Sequence, residues 1–180
     1  MTNLAEIIYS EANLREANLN KANLKRSNLA GADLMGANLR GSNFEESNLK
    51  EAHFEMAHLE NANFTKADLR GAYLPRAHLK KARLVNAHLE GANLLKAHLE
   101  EANLEGSYLF MANLQGANLS RTNFSMADLE EANLLGTQSL TIDQLSKVKT
   151  LRNAKLDKEL QQELKQKYPA LFDLPDKDDF

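Results

Sequence analysis

ANLREANLNKANLKRSNLAG, residues 12–31, repeats one five-residue unit: a small residue, a polar residue, a leucine and two variable residues. The unit continues without insertion to Gly136. We number its positions one to five, starting from Ala12. Position three holds leucine except at Phe44, Phe54, Phe64 and Phe124. Position one holds alanine except at Ser27, Ser42, Ser47, Ser107 and Thr122. A small and a large inward residue thus flank one outward residue. This alternation has the two-residue period of a strand.

The five-residue spacing excludes both a long helix and a flat strand. Five residues advance a helix by about 500°, so successive leucines would lie about 140° apart around the axis. In a flat strand, an odd period sends successive leucines to opposite faces. The chain must therefore turn in every unit. All eight glycines occupy position five, with Asn61 and Asn86, and mark it as the turn. Since Glu, Lys and Met also occur there, we do not expect positive φ at every turn.

Turns of one sense wind the chain into coils, and stacked coils bury leucines that a single unit leaves exposed. If four units close a square coil, residues twenty apart lie above one another. Three columns of charge alternate in sign at that spacing: Arg40, Glu60, Lys80 and Glu100; Lys81, Glu101 and Arg121; and Arg26, Glu46 and Lys66. The alternation avoids like-charged contacts between coils. Lys50 above Arg70 is an exception.

The run from Ala12 to Gly136 resembles the pentapeptide repeat family, whose A(D/N)LXX units form a right-handed, four-sided β-helix. The resemblance implies an all-β solenoid with 20 residues per coil. About six coils stacked ~4.8 Å apart would form a rod roughly 30 Å long. The family is abundant in cyanobacteria. Its best understood members act by binding proteins, and some protect gyrase by imitating DNA.

We predict four parts of the chain. Residues 1–11 form a partial first coil or N-terminal cap, plugged by Leu4, Ile7 and Tyr9. Residues 12–136 form the β-helix. Residues 137–172 form a short α-helical C-terminal cap that covers the last coil, and residues 173–180 form an acidic flexible tail.

Two helices are predicted in the C-terminal cap. Thr141 and Gln144 have the spacing of a capping box at the start of the first helix. Val148 is expected on the apolar side of that helix. The second helix runs from about Lys158 to Tyr168, with Asp157 as its N-cap.

The composition indicates a cytoplasmic protein without a membrane segment. There is no cysteine, so the chain has no disulfide framework and no thiolate chemistry. No apolar stretch approaches the roughly 20 residues that cross a bilayer. Residues 1–6 lack the basic and apolar segments of a secretion signal.

Neither an active site nor a cofactor is predicted. All five histidines occupy position two, and His58, His78 and His98 fall twenty residues apart as a candidate metal site. Their Cα spacing of ~4.8 Å exceeds the roughly 3.3 Å between nitrogens that share one zinc ion. We therefore favour a solvated stack of rings over a metal site. The serine and threonine hydroxyls at position one are expected to bond to the backbone, and the filled coil has no cavity for a small-molecule substrate.

Binding to nucleic acid and imitation of DNA are also disfavoured. A rod of about 30 Å would need on the order of 17 excess acidic groups to match duplex DNA. Residues 12–136 contain 15 Asp and Glu against 14 Lys and Arg, which leaves a net charge of −1. The basic cluster of Arg76, Lys80, Lys81 and Arg83 lies one coil from glutamates that offset its field.

A protein is the partner that we expect. Nine outward apolar residues are predicted to form a strip along one face and the neighbouring corner: Met35, Met56, Tyr73, Pro75, Leu95, Tyr108, Phe110, Met111 and Leu135. Scattered surface residues, or a strip covered by the C-terminal segment, are the alternatives. The predicted function is a non-enzymatic interaction scaffold or regulator. A purely structural protein is the second hypothesis and a gyrase-directed DNA mimic the third, with a monomer or an end-to-end dimer as the oligomer.

Overall fold

The computed structural model describes residues 2–173, so all but the first residue of the predicted acidic tail lies outside it. The chain winds as a stack of coils. Each position-two residue forms an isolated parallel β-bridge with the residue twenty positions later, from Asn3 with Asn23 to Asn118 with Gln138. Four such residues occur in every twenty, so each coil has four bridged sides. The predicted stacking interval of twenty residues is confirmed.

Backbone hydrogen bonds explain why a five-residue unit makes one side and one corner. The amide of Ala17 donates to the carbonyl of Leu14 at 3.1 Å and closes the turn. The amides of Leu14 and Glu16 donate upward to Asp33 and Met35 in the next coil, at 2.7 and 2.9 Å. The position-two amide donates to the coil below. These bonds use four of the five amides in the unit.

The fifth amide, at position four, explains the preference for Asn and Asp at position two. The amide of Leu95 donates to the side-chain oxygen of Asn93 at 3.1 Å, and the amide of Met35 does the same to Asp33. This local side-chain bond is typical of Asx turns. Tyr73 cannot make it, but the residue two positions later is Pro75, which has no N–H to satisfy.

Positive φ occurs at position five of every unit from Glu6 to Gly136, including those with bulky side chains. Met56 has φ of 53° and Glu101 of 60°, close to the 67° of Gly31. The expectation that some turns avoid positive φ is therefore wrong. Position five is the second central residue of the turn, where type II turns require positive φ. The bonds to the next coil hold even Met and Glu there, at a cost of about 1–2 kcal/mol per residue.

The core consists of the position-one and position-three side chains, which are fully buried from Ala22 onward. Phe44 stacks on Phe64 with ring centroids 4.9 Å apart, and Phe54 meets both rings edge-on. The hydroxyl of Ser27 donates to the carbonyl of Leu24 at 2.6 Å, and the other position-one hydroxyls also bond to backbone carbonyls. The prediction for these hydroxyls is confirmed.

At the N-terminal end, residues 2–21 form a complete outer coil with no cap in front of it among the described residues. Leu4 packs against the core and Ile7 is half-buried, but Tyr9 is 38% exposed and its neighbour Ile8 is 75% exposed. Leu14 is only half-buried. The side chain of Tyr9 thus lies at the surface rather than plugging the coil.

Helix α1 spans Ile142–Leu145, and the predicted capping box of Thr141 and Gln144 is confirmed. The helix has only four residues, so Val148 follows it instead of lying on it. Gln144 also donates from its side-chain amide to the carbonyls of Leu119 and Thr122, at 2.8 and 2.9 Å. One side chain thereby satisfies the helix start and two carbonyls of the last full coil.

The chain then returns to the solenoid, which the sequence prediction of a helical segment over 137–172 missed. Thr150 and Lys155 form parallel bridges with residues 22 positions earlier, Asp128 and Asn133. Asn153 takes the positive φ of a position-five residue. Leu151, Ala154 and Leu156 are buried as positions three, one and three of the unit. Two extra residues around α1 shift the register and hide this half coil from a search at fixed period.

Helix α2 spans Lys158–Lys167 and buries Leu164. Asp157 stands at its N-cap but makes no capping bond; its carboxylate instead accepts from the amide of Gly136 at 3.0 Å. A 3-10 helix, Pro169–Phe172, follows, and the carbonyl of Leu171 accepts from the amide of Leu151. No helix within residues 2–173 has the length and apolarity to cross a membrane.

Candidate interaction surface

The structure divides the predicted apolar strip. Met35, Pro75, Leu95 and Leu135 occupy one column of position-four residues, but Glu55 and Gln115 stand between them. Pro75 is buried, and Met35 and Leu95 are half-buried. The sulfur of Met35 accepts a 2.8 Å contact from the Arg15 guanidinium, which lies over it. The other face residues are Met56, which is 45% exposed, and Tyr73, which lies against the ring of His53. This face offers separate apolar residues instead of a continuous strip.

The remaining three predicted residues form a compact exposed cluster at the neighbouring corner. Tyr108, Phe110 and Met111 are 42%, 37% and 55% exposed. The ring of Tyr108 stacks on that of His88, with centroids 4.7 Å apart and planes inclined by 10°. We call these three residues the aromatic corner. The C-terminal segment, as far as Asp173, leaves it open to solvent.

Two carboxylates lie beside the aromatic corner, and each has a side-chain contact. Glu90 and Glu130 lie one coil below and one coil above Phe110. His88 contacts Glu90 at 3.0 Å, and Arg152 forms an ion pair with Glu130. Each carboxylate thus has one side-chain contact, although Glu90 Oε2 has no hydrogen-bond partner among the described residues.

Two exposed apolar residues at outward positions of the coils were missed by the sequence analysis. Ile8 is 75% exposed at position two, and Met126 is 64% exposed at position five. Both occupy outward positions of the repeat, and that signal was available in the sequence. Ile8 lies five coils below Tyr108, whereas Met126 lies on the corner that precedes the aromatic corner, two residues before Asp128, which bridges Tyr108.

The predicted histidine stack is present. The ring centroids of His58 and His78, and of His78 and His98, are each 4.9 Å apart. Burial lowers the pKa of His78, and the neighbouring His98 and His58 lower it further. Among the described residues, His58, Glu60 and His78 bring possible ligand atoms within 4.8 Å of one another. The guanidinium of Arg40, however, lies 2.7 Å from His58 Nδ1 and 3.1 Å from Glu60 Oε1, where its charge opposes a metal cation.

One predicted charge column forms ion pairs along its length, and a second does so only between Arg40 and Glu60 among the described residues. Arg40 contacts Glu60 at 3.1 Å, and Glu101 contacts Lys81 below it and Arg121 above it at 3.6 and 3.0 Å. These groups are partly exposed, so each pair contributes only a few tenths of a kcal/mol. These ion pairs therefore help to align neighbouring coils more than they add to the free energy of unfolding.

The third column pairs differently. Arg26 forms an ion pair with Glu6 in the coil below, not with Glu46. The like-charged Lys50 and Arg70 share Asp68, at 3.4 and 2.6 Å. Burial tends to raise the pKa of Asp68, but the bonds from Arg70 and the charge of Lys50 outweigh burial and lower it. The shared carboxylate explains how the two cations tolerate each other.

Comparison with known families confirms the resemblance seen in the sequence. The pentapeptide repeat region profile matches residues 2–84, and the profile of pentapeptide repeats in eight copies matches residues 72–109 and 109–138. The chain belongs to the pentapeptide repeat family. No curated protein matches it.

Three solved structures that are similar to this chain come from different settings. HetL, a pentapeptide repeat protein involved in heterocyst differentiation regulation from the cyanobacterium Nostoc sp. strain PCC 7120, is 28% identical, with 86% of each chain covered and a TM-score of 0.56. A trypsin-treated form of QnrB1, a plasmid-mediated fluoroquinolone resistance protein, is 20% identical over 96% of this chain and 98% of its own, with a TM-score of 0.54. A pentapeptide repeat protein from the Arabidopsis thaliana thylakoid lumen is 32% identical over 56% of this chain and 67% of its own, with a TM-score of 0.48. At 20% identity, the QnrB1 likeness concerns the fold alone.

Proposed function

We propose that this chain is a non-enzymatic scaffold or regulator that binds a partner protein through the aromatic corner. The observation that carries the proposal is the exposure of Tyr108, Phe110 and Met111 side by side on a solenoid whose outward positions are mostly polar. Aromatic residues and Met are enriched at the centres of protein interfaces. The rigid stack of coils holds the three side chains in place before a partner arrives, which reduces the ordering cost of binding.

The architecture that we propose for this scaffold is a right-handed, four-sided β-helix of about six coils with a C-terminal cap. The cap comprises α1, the half coil over 147–156, and α2. Gln144 supports it, because its side-chain amide replaces the backbone donor that the carbonyl of Thr122 would otherwise receive from the next coil. The cytoplasmic location stays a prediction from the sequence.

The test is affinity capture from the native host with the wild-type chain, Phe110→Ser and Met111→Ser. Met126→Ser is the matched control, because Met126 is also an exposed position-five residue with positive φ. We expect proteins that the wild type and the control retain and that both corner variants lose. The same set of proteins on all four baits would contradict the proposal, as would their loss from the Met126→Ser bait. Leu95→Ser tests whether the neighbouring face contributes.

Direct assays distinguish the proposed function from two alternatives. A purely structural protein would capture no specific partner with any bait. A gyrase-directed DNA mimic would relieve fluoroquinolone inhibition in a supercoiling assay; the net charge of −1 over residues 12–136 disfavours this reading.

For the oligomer, we propose a monomer or an end-to-end dimer through the first coil. The dimer is supported by the open outer coil with exposed Ile8 and Tyr9, because an uncovered edge pairs readily with another chain. Light scattering distinguishes the two states, and Ile8→Ser should abolish a dimer that uses this end.

A further inference from the structure

A groove of about 680 Å³ runs along one corner of the solenoid, which follows the side of the coil that carries Tyr73. Its lining comprises Met56, Arg76, His78, Lys96, His98, Gly116, Asn118, Gly136 and Gln138. The corner residues from Met56 to Gly136 occupy successive coils, so the groove is about 19 Å long at ~4.8 Å per coil. No Asp or Glu lines it, although acidic residues outnumber basic ones, 25 against 22, in the whole chain.

Two exposed cations occupy adjacent coils in this groove without an ion-pair partner among residues 2–173. Arg76 and Lys96 lie in adjacent coils, and the amide of Arg76 donates to the carbonyl of Leu95 at 2.9 Å. Neither cation forms an ion pair with a carboxylate of residues 2–173. On the next corner, by contrast, Glu101 separates Lys81 from Arg121. Like charges in register repel each other, and an anion between them would relieve the repulsion.

The rest of the lining leaves room for such an anion and can donate to it. Gly116 lacks a side chain, and the Lys96 stem leans over it, with Cγ 3.2 Å from the position that a Cβ would take. Gly136, farther along, has nothing within 4 Å of its Cβ position. Gln138 is exposed and can offer N–H groups. His98 Nδ1 and the side-chain amide of Asn118 instead face the carboxylate of Glu100 beside the groove, at 3.6 and 2.7 Å. The groove thus combines two exposed positive charges, a further hydrogen-bond donor at Gln138 and an open floor at Gly136.

We propose that this groove binds an acidic protein segment, whose carboxylates bridge Arg76 and Lys96. The assignment rests on the proposed scaffold function and names the chemistry of the partner. An extended segment of about six residues, at 3.3 Å per residue, matches the length of the groove. A free oxyanion such as phosphate offers the same chemistry but would fill only a small part of it. Single-stranded nucleic acid fits less well, because no Phe, Tyr or Trp lines the groove to stack with bases.

The experiment titrates the full chain into fluorescein-labelled hexaglutamate and follows fluorescence anisotropy at low salt. We expect saturable binding by the wild type, and at least tenfold weaker binding by the double variant Arg76→Gln, Lys96→Gln. The matched control is Lys21→Gln, Lys66→Gln, which removes the same charge from exposed position-five residues on other corners. The control should bind within about twofold of the wild type. Circular dichroism establishes that both double variants remain folded.

Several results would overturn the proposal. These are no binding by the wild type, equal weakening in both double variants, tighter binding of inorganic phosphate than of the peptide, or tighter binding of a labelled hexathymidylate. Phe110→Ser should leave hexaglutamate binding unchanged, because the aromatic corner lies on a different corner of the solenoid. If the wild type fails to bind hexaglutamate but still captures partners that Phe110→Ser loses, only the groove assignment is ruled out. If hexaglutamate binds as expected but Phe110→Ser captures the same proteins as the wild type, the aromatic corner is ruled out as the partner site.

Discussion

The side-chain amide of Gln144 lies 2.8 Å from the carbonyl oxygen of Leu119 and donates a hydrogen bond to it. Gln144 thus joins α1 to the last full coil while its side-chain oxygen accepts from the amide of Thr141. Replacing Gln144 with Ala removes both functions and leaves the carbonyl of Thr122 without a donor, whereas that of Leu119 keeps its bond from the amide of Thr122 at 3.1 Å. We expect Gln144→Ala to lower the free energy of unfolding by about 1–3 kcal/mol.

Urea denaturation checks this value. Gln162→Ala on the exposed side of α2 is the control, and it should change stability by less than about 0.5 kcal/mol. Equal effects of the two substitutions would show that Gln144 has no special role.

The Asx turn makes a prediction for position two. Asn93→Ala removes the acceptor for the amide of Leu95 and should cost about 1 kcal/mol. His53→Asn introduces an acceptor where the amide of Glu55 has none from position two, and it should stabilise the chain by up to about 1 kcal/mol. His53→Ala removes the ring without adding the acceptor. If thermal unfolding gives Ala and Asn at residue 53 the same stability, the Asx bond does not explain the preference.

A substitution at Gly91 measures the free-energy cost of positive φ at the turn without an added steric clash. It has φ of 66°, and nothing lies within 4 Å of the position that its Cβ would take. Gly91→Ala therefore adds the strain of positive φ without a clash, and we expect a loss of about 1 kcal/mol. Gly106→Ala should cost about the same, because the atom 2.3 Å from its Cβ position is the Oδ1 of the exposed Asn86, whose side chain can rotate away. Chemical denaturation compares the two; no loss at Gly91 would mean that the turn relaxes.

The histidine stack predicts a pH dependence. Burial and the adjacent histidines lower the pKa of His78 below its usual 6.5, so the unfolded chain binds this proton more readily than the folded one. Stability contributed by neutral His78 is therefore complete above pH 6.5 and decreases as the pH falls toward the lowered pKa. We expect His78→Gln to flatten the pH dependence of unfolding between about pH 5 and pH 7.5. His53→Gln, outside the stack, is the control, and an unchanged slope in His78→Gln would contradict the prediction.

Most of the fold could be predicted because its decisive signal is local and periodic. The alternation of Ala and Leu, the position of glycine and the charge columns lead to the interval of twenty residues. The half coil around Leu151 and Ala154 was missed because α1 shifts the interval to 22 residues. Positive φ at Met56 was missed because side-chain identity says little where backbone bonds to the next coil determine the turn.

The candidate surface was only partly predictable. The sequence places Phe110 and Met111 at outward positions, and the structure leaves both exposed. It also places Pro75 and Leu95 outward, but their burial depends on neighbours in other coils, which no local pattern specifies. The groove with Arg76 and Lys96 depends on the same stacking, and on the absence of side chains at Gly116 and Gly136.

The interval of twenty residues, on which every proposed surface depends, can be measured by cross-linking, because the chain has no native cysteine. His58 and His78 form a parallel bridge, and Cα atoms ~4.8 Å apart are within disulfide range. Under mild oxidation, His58→Cys with His78→Cys should form a disulfide rapidly, visible as the loss of two hydrogens in intact mass. His58→Cys with Tyr73→Cys, or with Arg83→Cys, should stay reduced because those residues lie on other sides of the coil. A disulfide that forms faster in either control pair than in the 58–78 pair would contradict the coil that we describe.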